Sequence, residues 1–312
     1  ENTFDALAEQ WLPKQNLADS TVKMIRSRLK NDIYPKIGKT PISDLTPKII
    51  LDNVLRPMEN RGAVSLSKRV KSIVSQVFCY GIAEGVVERD ITADLKGALK
   101  KVEEKHRAAI TEPAKVGALL SAIDSFEGTA VVAAALKLHP LTAVRPGELR
   151  GAEWSEFDLE QALWIIPKER MKMKTDHVVP LSHQVVEILR ELYPLTGDGK
   201  LVFPSIRTRL KPISNVTMNA ALRRLGFTAD EISPHGWRAT FRTLADEVLR
   251  ERIELIEMQL SNRVRDVHGK AYNRTAFLEE RRELMQRWAS YLDVLREGED
   301  RKVVPLQKKF TA

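Results

Sequence analysis

The 312-residue chain predicts a mainly α-helical fold with a small antiparallel β-sheet, divided between two domains. Three observations carry that prediction. Apolar residues recur at helical spacing along most of the sequence, the period changes to short β-prone runs at 162–166 and 177–181, and a charged stretch from Lys100 to Arg107 interrupts the pattern. That stretch has Val102 as its one apolar residue, which suits a solvated linker and sets the boundary between domains at 1–105 and 106–312.

The elements follow in order. Phe4, Leu7, Ala8, Trp11 and Leu12 fall on one face of a first helix. Asp19 and Ser20 cap a second, with Val22, Ile25, Leu29 and Ile33 on its apolar face and Lys23, Arg26, Arg28 and Lys30 on the rest, until Pro35 and Gly38 stop it. Thr46-Pro47 starts a third that runs to about Asn60. A fourth runs from Ser65 through Leu66, Val70, Ile73, Val74, Val77, Phe78 and Ile82 to a Gly85 cap. Beyond the linker, Thr111–Ile123 and Thr129–Leu141 read as helices. Ala162–Ile166 and His177–Leu181 read as an antiparallel hairpin. Helical patterns then resume at 184–192, 215–225, 236–249, 252–260 and 277–295.

Composition narrows the function. Fifty Lys and Arg against 42 Asp and Glu give a net charge of +8, which favours a polyanionic partner, nucleic acid first. The longest apolar run, Ala130 to Leu136, is far short of the ~20 residues of a membrane span. A single cysteine, Cys79, and no signal-peptide pattern point to a reducing cytoplasm. Gly38-Lys39-Thr40 ends like a phosphate-binding loop, but Ile33 stands where the first glycine is required. His-Glu-x-x-His, Cys-x-x-Cys and Gly-x-Ser-x-Gly are absent, and no two histidines share metal-ligand spacing, so the expected chemistry uses neither metal nor cofactor.

Three segments carry chemistry: Leu141-Thr-Ala-Val-Arg-Pro-Gly-Glu-Leu-Arg150, Ser233-Pro-His-Gly-Trp-Arg-Ala-Thr240 and Lys270-Ala-Tyr-Asn-Arg274. In this order they resemble the catalytic domain of tyrosine recombinases, specifically phage and genomic-island integrases. Residues 1–105 resemble that family's helical, SAM-like core-binding domain, so the likeness spans nearly the whole chain. It implies a catalytic domain with a C-terminal tail over 106–312. The implied activity is a site-specific recombinase that cleaves and rejoins DNA through a 3′-phosphotyrosyl bond, integrating or excising a phage or genomic island.

The chemistry can be argued independently. In-line attack on a phosphodiester builds negative charge on the non-bridging oxygens, and arginine meets it with a planar fork that stays protonated. The resemblance gives that work to Arg145 and Arg238, with Glu148 supporting Arg145. Tyr272 is the nucleophile it implies, and His235 shuttles the phenol proton or donates to phosphate. The leaving 5′-oxygen needs a general acid, and Lys172, seven residues before Val179-Pro180-Leu181, matches the family's hairpin lysine, with Lys174 its rival. A solvated charged turn fits the same stretch. One position departs from the family: Asn262 stands where a second His or a Trp is usual, and its amide can donate a neutral hydrogen bond but cannot titrate. His268, four residues before Tyr272, has the wrong spacing for that role.

The resemblance further implies double-stranded DNA with specific recombination sites as partner, the two domains clamping it from opposite sides. It implies a homotetramer exchanging strands through a four-way junction, DNA-bending accessory proteins, and a nucleoid-associated location when bound. The segment from Ala289 onward, with Val303, Val304 and Leu306 as anchors, is expected to pack on a neighbouring protomer. An arm-binding domain often precedes the core-binding domain in such integrases and is expected to have been removed, since the sequence opens on Glu1. Two other classes stay in view: a type IB topoisomerase, which would relax DNA as a monomer with similar residues, and a non-catalytic DNA-binding regulator, for which Asn262 speaks.

Overall fold

The computed structural model describes residues 2–102, 108–171, 175–262 and 277–298. Lys172, Lys174, His268, Tyr272 and the tail with Val303, Val304 and Leu306 lie outside the described residues. The chain separates into two compact units, 1–105 and 106–312.

The first unit is helical. α1 (Phe4–Trp11) buries Phe4, Leu7, Ala8 and Trp11, the face its spacing predicts. α2 (Asp19–Arg28) places Asp19 at its first position with Ala18 as the uncapped N-terminal neighbour, so Asp19 complements the helix dipole and does not cap. The helix passes through Pro35 and ends at Gly38, the second of the two expected stops. It widens into a π-type segment, Leu29–Gly38, in which the regular α-ladder is already loosened and a missing N–H is tolerated.

Thr46 Oγ1 accepts the Ile49 N–H at 3.2 Å and Pro47 opens α3 (Pro47–Ile50), which passes through a second wide segment, Leu51–Leu55, into α4 (Arg56–Asn60). α5 (Val64–Ala83) ends where Gly85, at φ +71°, turns its N–H back to the Ile82 carbonyl. Phe4, Leu29, Ile33, Ile50, Val70, Val74 and Phe78 form one apolar core.

The second unit starts with α6 (Pro113–Asp124) and α7 (Ala130–Thr142), the latter capped by Thr129. A short α8 (Pro146–Arg150) follows a tight reversal. β1 (Phe157–Asp158), β2 (Leu163–Ile166) and β3 (His177–Pro180) make an antiparallel sheet in which Leu163 faces Pro180 and Ile166 faces His177. After α9 (His183–Thr196) comes a second hairpin, β4 (Pro204–Ser205) and β5 (Thr208–Pro212), and then α10 (Thr217–Arg224), α11 (Gly236–Glu247), α12 (Ile253–Gln259) and α13 (Leu278–Glu297). β1 is too short to show a period. β4 and β5 are polar and proline-flanked, with Ile206 and Leu210 in solvent, so they read as loop.

In α13, Trp288, Ala289, Tyr291 and Leu292 are buried in the unit's own core, while the tail anchors expected to reach a neighbouring protomer lie outside the described residues. α13 packs inward because α6 receives it closely at Gly117, where a Cβ would lie 2.2 Å from the Leu295 carbonyl oxygen. Tyr193 is half-exposed and meets Trp154 edge to face at 5.0 Å. Among the described residues no helix is long and apolar enough to cross a membrane.

Candidate active site

The end of α7 builds the site. A helix leaves its last carbonyls without partners, and here side chains from several helices supply them. Trp288 Nε1 donates to the Pro140 carbonyl at 2.8 Å, Gln259 Nε2 to Thr142 at 3.2 Å, Arg238 Nη1 to Ala143 at 3.1 Å, and the His139 ring meets Val144 at 3.1 Å. Ala143 sits in the left-handed region at φ +51°, which reverses the chain so that Arg145 leads into α8.

Arg145 is fixed by Glu148, three residues on. The carboxylate accepts the Arg145 backbone N–H at 3.0 Å and Nη1 at 2.8 Å, while Nη2 donates to the Ser261 carbonyl at 3.2 Å. Glu148 is buried, and Arg145 keeps about a quarter of its side chain in solvent (24%). Charge-assisted bonds of this kind are short and strong.

Arg238, in the first turn of α11, is almost wholly buried. Besides Ala143, its Nη2 donates to the Leu260 carbonyl at 2.6 Å and to Asn262 Oδ1 at 3.3 Å. Both guanidinium groups thus reach the stretch 260–262 at the end of α12, where Ser261 is left-handed at φ +51°. The partial negative charge of those terminal carbonyls offsets the repulsion of two cations held together. Burial, then the Arg145 charge, pushes the Arg238 pKa down to about 10, against the pull of Glu148 and Glu257. It stays cationic at neutral pH.

The other predicted residues distribute as follows. His235 is half-buried at the start of α11, its carbonyl accepting the Arg238 N–H at 3.2 Å. Gly236 behind it is required by space, because a Cβ there would lie 2.3 Å from the Ala108 carbonyl oxygen. Asn262 comes together with Arg238, but its Nδ2 donates to Glu257 and its oxygen accepts from the arginine. Arg145, Glu148, Arg238 and Asn262 therefore form one connected group. Lys172 and Tyr272 belong to stretches outside the described residues, which flank this group in the chain at Met171 and Asn262.

Sequence reasoning missed His139, Gln259 and the backbone carbonyls. His139 is fully buried, and burial pushes its pKa down to about 4, with the nearby positive fields of Arg238 and His235 adding to the effect. A neutral ring that faces a carbonyl must donate, so Nε2 carries the proton. The one signal was its position, six residues before Arg145. Among the described residues no group of three or more His, Cys, Asp or Glu could hold a metal ion.

Both units are similar to known proteins. Residues 4–98 match the phage integrase central domain and residues 110–261 the phage integrase family. The prophage integrase IntZ of Escherichia coli (strain K12) is 33% identical over 304 residues, covering 97% of this chain and 74% of that protein. The integrase of Enterobacteria phage P4 is 33% identical over 310 residues, covering 94% and 70%. In fold, the chain is similar to a lambda integrase fragment (75–356) crystallised as a dimer on a COC′ core site, with a TM-score of 0.67, 20% identity and coverage of 87% of this chain and 98% of that one. It is similar also to a lambda integrase tetramer bound to a Holliday junction, with a TM-score of 0.66, 18% identity and coverage of 88% and 81%.

Proposed function

The chain belongs to the phage integrase family and is a tyrosine-type site-specific DNA recombinase, and on that premise we propose that Tyr272 is its nucleophile and Arg145 and Arg238 its phosphate clamp. The Tyr272 Oη attacks the scissile phosphorus in line, the P–O5′ bond breaks, and a 3′-phosphotyrosyl ester forms. The phenol proton passes to His235 or solvent, and Lys172 gives a proton to the leaving 5′-oxygen. A 5′-hydroxyl from a second DNA then attacks the ester and releases the tyrosine. The ester conserves the energy of the broken linkage, so rejoining needs no nucleotide cofactor.

The observation that carries this reading is the convergence of Arg145 and Arg238 on the 260–262 stretch. Three acceptors occupy Arg238 among the described residues, against the five N–H donors of a guanidinium, so donors are left for a phosphate. Double-stranded DNA bearing two recombination sites is the substrate, with four copies of the chain acting on it and DNA-bending proteins assisting. The excess of Lys and Arg makes binding dominated by phosphate contacts and therefore steeply salt-dependent. Residues 1–105 serve as the core-binding domain and 106–312 as the catalytic domain.

A nicked suicide substrate, which loses the attacking 5′-end after cleavage, tests the reading. The wild-type chain should accumulate a covalent adduct on denaturing gels with EDTA present, and Tyr272→Phe should bind the same DNA and give none. An adduct in the Phe variant, or loss of activity on chelation, would overturn it.

A further inference from the structure

The hairpin formed by β2 and β3 is fastened to the arginine clamp by one side chain. After β2 the chain makes a tight turn, Lys168–Arg170, and the Lys168 N–H donates to Asp176 Oδ1 at 2.7 Å, closing the neck of the hairpin. Arg170 then leaves the hairpin altogether. Its Nη1 donates to the Glu156 carboxylate, and its Nη2 donates to the backbone carbonyl of Glu148 at 2.5 Å.

Both contacts are built into the interior. Glu156 is 6% exposed in its side chain, and its second oxygen accepts Trp164 Nε1 of β2 at 2.9 Å. Gly151, at the end of α8, leaves room for the guanidinium: a Cβ there would lie 3.1 Å from Arg170 Nη2. The residue whose carbonyl Arg170 holds is the residue whose carboxylate fixes Arg145. A planar fork with two donors in fixed geometry spans a carboxylate and a carbonyl in one orientation, which the compact ammonium of a lysine, with its rotatable donors, does not fix.

We infer that Arg170 is a positioning residue that sets the hairpin, and with it the general acid, against the Arg145–Glu148 pair. The inference rests on the reading of Lys172 as that acid. Lys172 is two residues from Arg170 in the sequence, and two residues of chain reach at most ~7 Å, so covalent length alone ties the acid to the fork. Holding an acid within hydrogen-bond reach of its leaving group is worth a large factor in rate, and a misplacement of ~1 Å costs ~100-fold.

DNA with sulfur in place of the bridging 5′-oxygen separates this role from a merely structural one, because a thiolate leaves without a proton. Single-turnover cleavage by Arg170→Met should fall ~10 to 100-fold on ordinary DNA and return to within ~3-fold of wild type on the sulfur substrate, with DNA affinity unchanged. Lys172→Ala should show the same rescue, whereas Arg145→Ala should show none. Arg170→Lys should remain slow on ordinary DNA, since one ammonium cannot replace the fork.

Gly151→Ala keeps every atom of Arg170 and crowds its guanidinium, so it should reproduce the pattern more weakly. It carries the test if Arg170→Met does not fold. Equal slowing on both substrates, or no slowing on either, overturns the inference. If Lys172→Ala is not rescued, the assignment of the acid fails and the inference falls with it. Rescue of Lys172→Ala without rescue of Arg170→Met sinks the coupling alone.

Discussion

The two units bury different chemistry. Among the described residues the interior of 1–105 is apolar apart from Glu59, Ser67, Thr92 and the Asp32 carboxylate, and cations such as Lys23, Arg26 and Lys30, on α2 and the segment after it, stand outside. The interior of 106–312 contains His139, Glu148, Arg238, Gln259 and Arg281, each engaged by hydrogen bonds to backbone or side chains. Burying a charge is costly unless the fold supplies partners, so a domain that does so at several positions is organised around them. On the proposed reading the contrast is a division of labour, in which surface charge sets how tightly DNA is held and interior charge sets how fast a phosphodiester is cut.

The largest expected effect is on the interior cations. Arg145→Ala and Arg238→Ala should each reduce single-turnover cleavage ~100 to 1000-fold with little change in DNA affinity, as loss of one preorganised donor does. Rapid-quench assays at saturating enzyme measure this. A drop in affinity with an unchanged rate would break the division.

A smaller effect is expected at Asn262, the departure from the family pattern. Asn262→Ala removes one acceptor of Arg238 and the donor to Glu257, and cleavage should slow by roughly 10-fold. Asn262→His should match or exceed the wild-type rate and acquire a pH dependence near 6 to 7, the range in which an imidazole titrates. Rates between about pH 5.5 and 8 decide it.

His139 sharpens the comparison through stability. Its folded pKa of about 4 lies below the ordinary 6.5, so the unfolded chain binds a proton more readily. Stability is therefore complete above 6.5 and declines as pH falls toward 4. Between pH 8 and 5 the loss should reach about 2 kcal/mol, read from urea unfolding, and His139→Gln should remove that component.

The smallest effect belongs to the first unit. Lys23→Ala and Arg26→Ala should each weaken DNA binding a few-fold and lower the salt slope by about 1, leaving cleavage at saturation unchanged.

The same contrast explains what was legible in the sequence. Periodicity found the helices of both units because burial of Phe4, Val70, Leu244 or Trp288 leaves a repeat. Pro35 misled because proline breaks an α-ladder, and the chain uses a wider turn there. Arg145, Glu148 and Arg238 were legible as parts of short motifs. The Glu148 partner of Arg145 was legible too, but the backbone partners were not, because the carbonyls of Ala143, Leu260 and Ser261 are common to every residue type and carry no sequence signal. Arg170 looked like one more charge in a solvated turn, since nothing local announces that Glu156 and Glu148 lie within its reach.

The most direct test of the account identifies the atom that bonds to DNA. Wild-type protein trapped on a suicide substrate, digested with trypsin and nuclease, should yield the peptide Ala271–Arg274 carrying a nucleotide on Tyr272 in the mass spectrum. A nucleotide on Tyr34, Tyr80, Tyr193, Tyr291 or a serine, with Ala271–Arg274 unmodified, would contradict it.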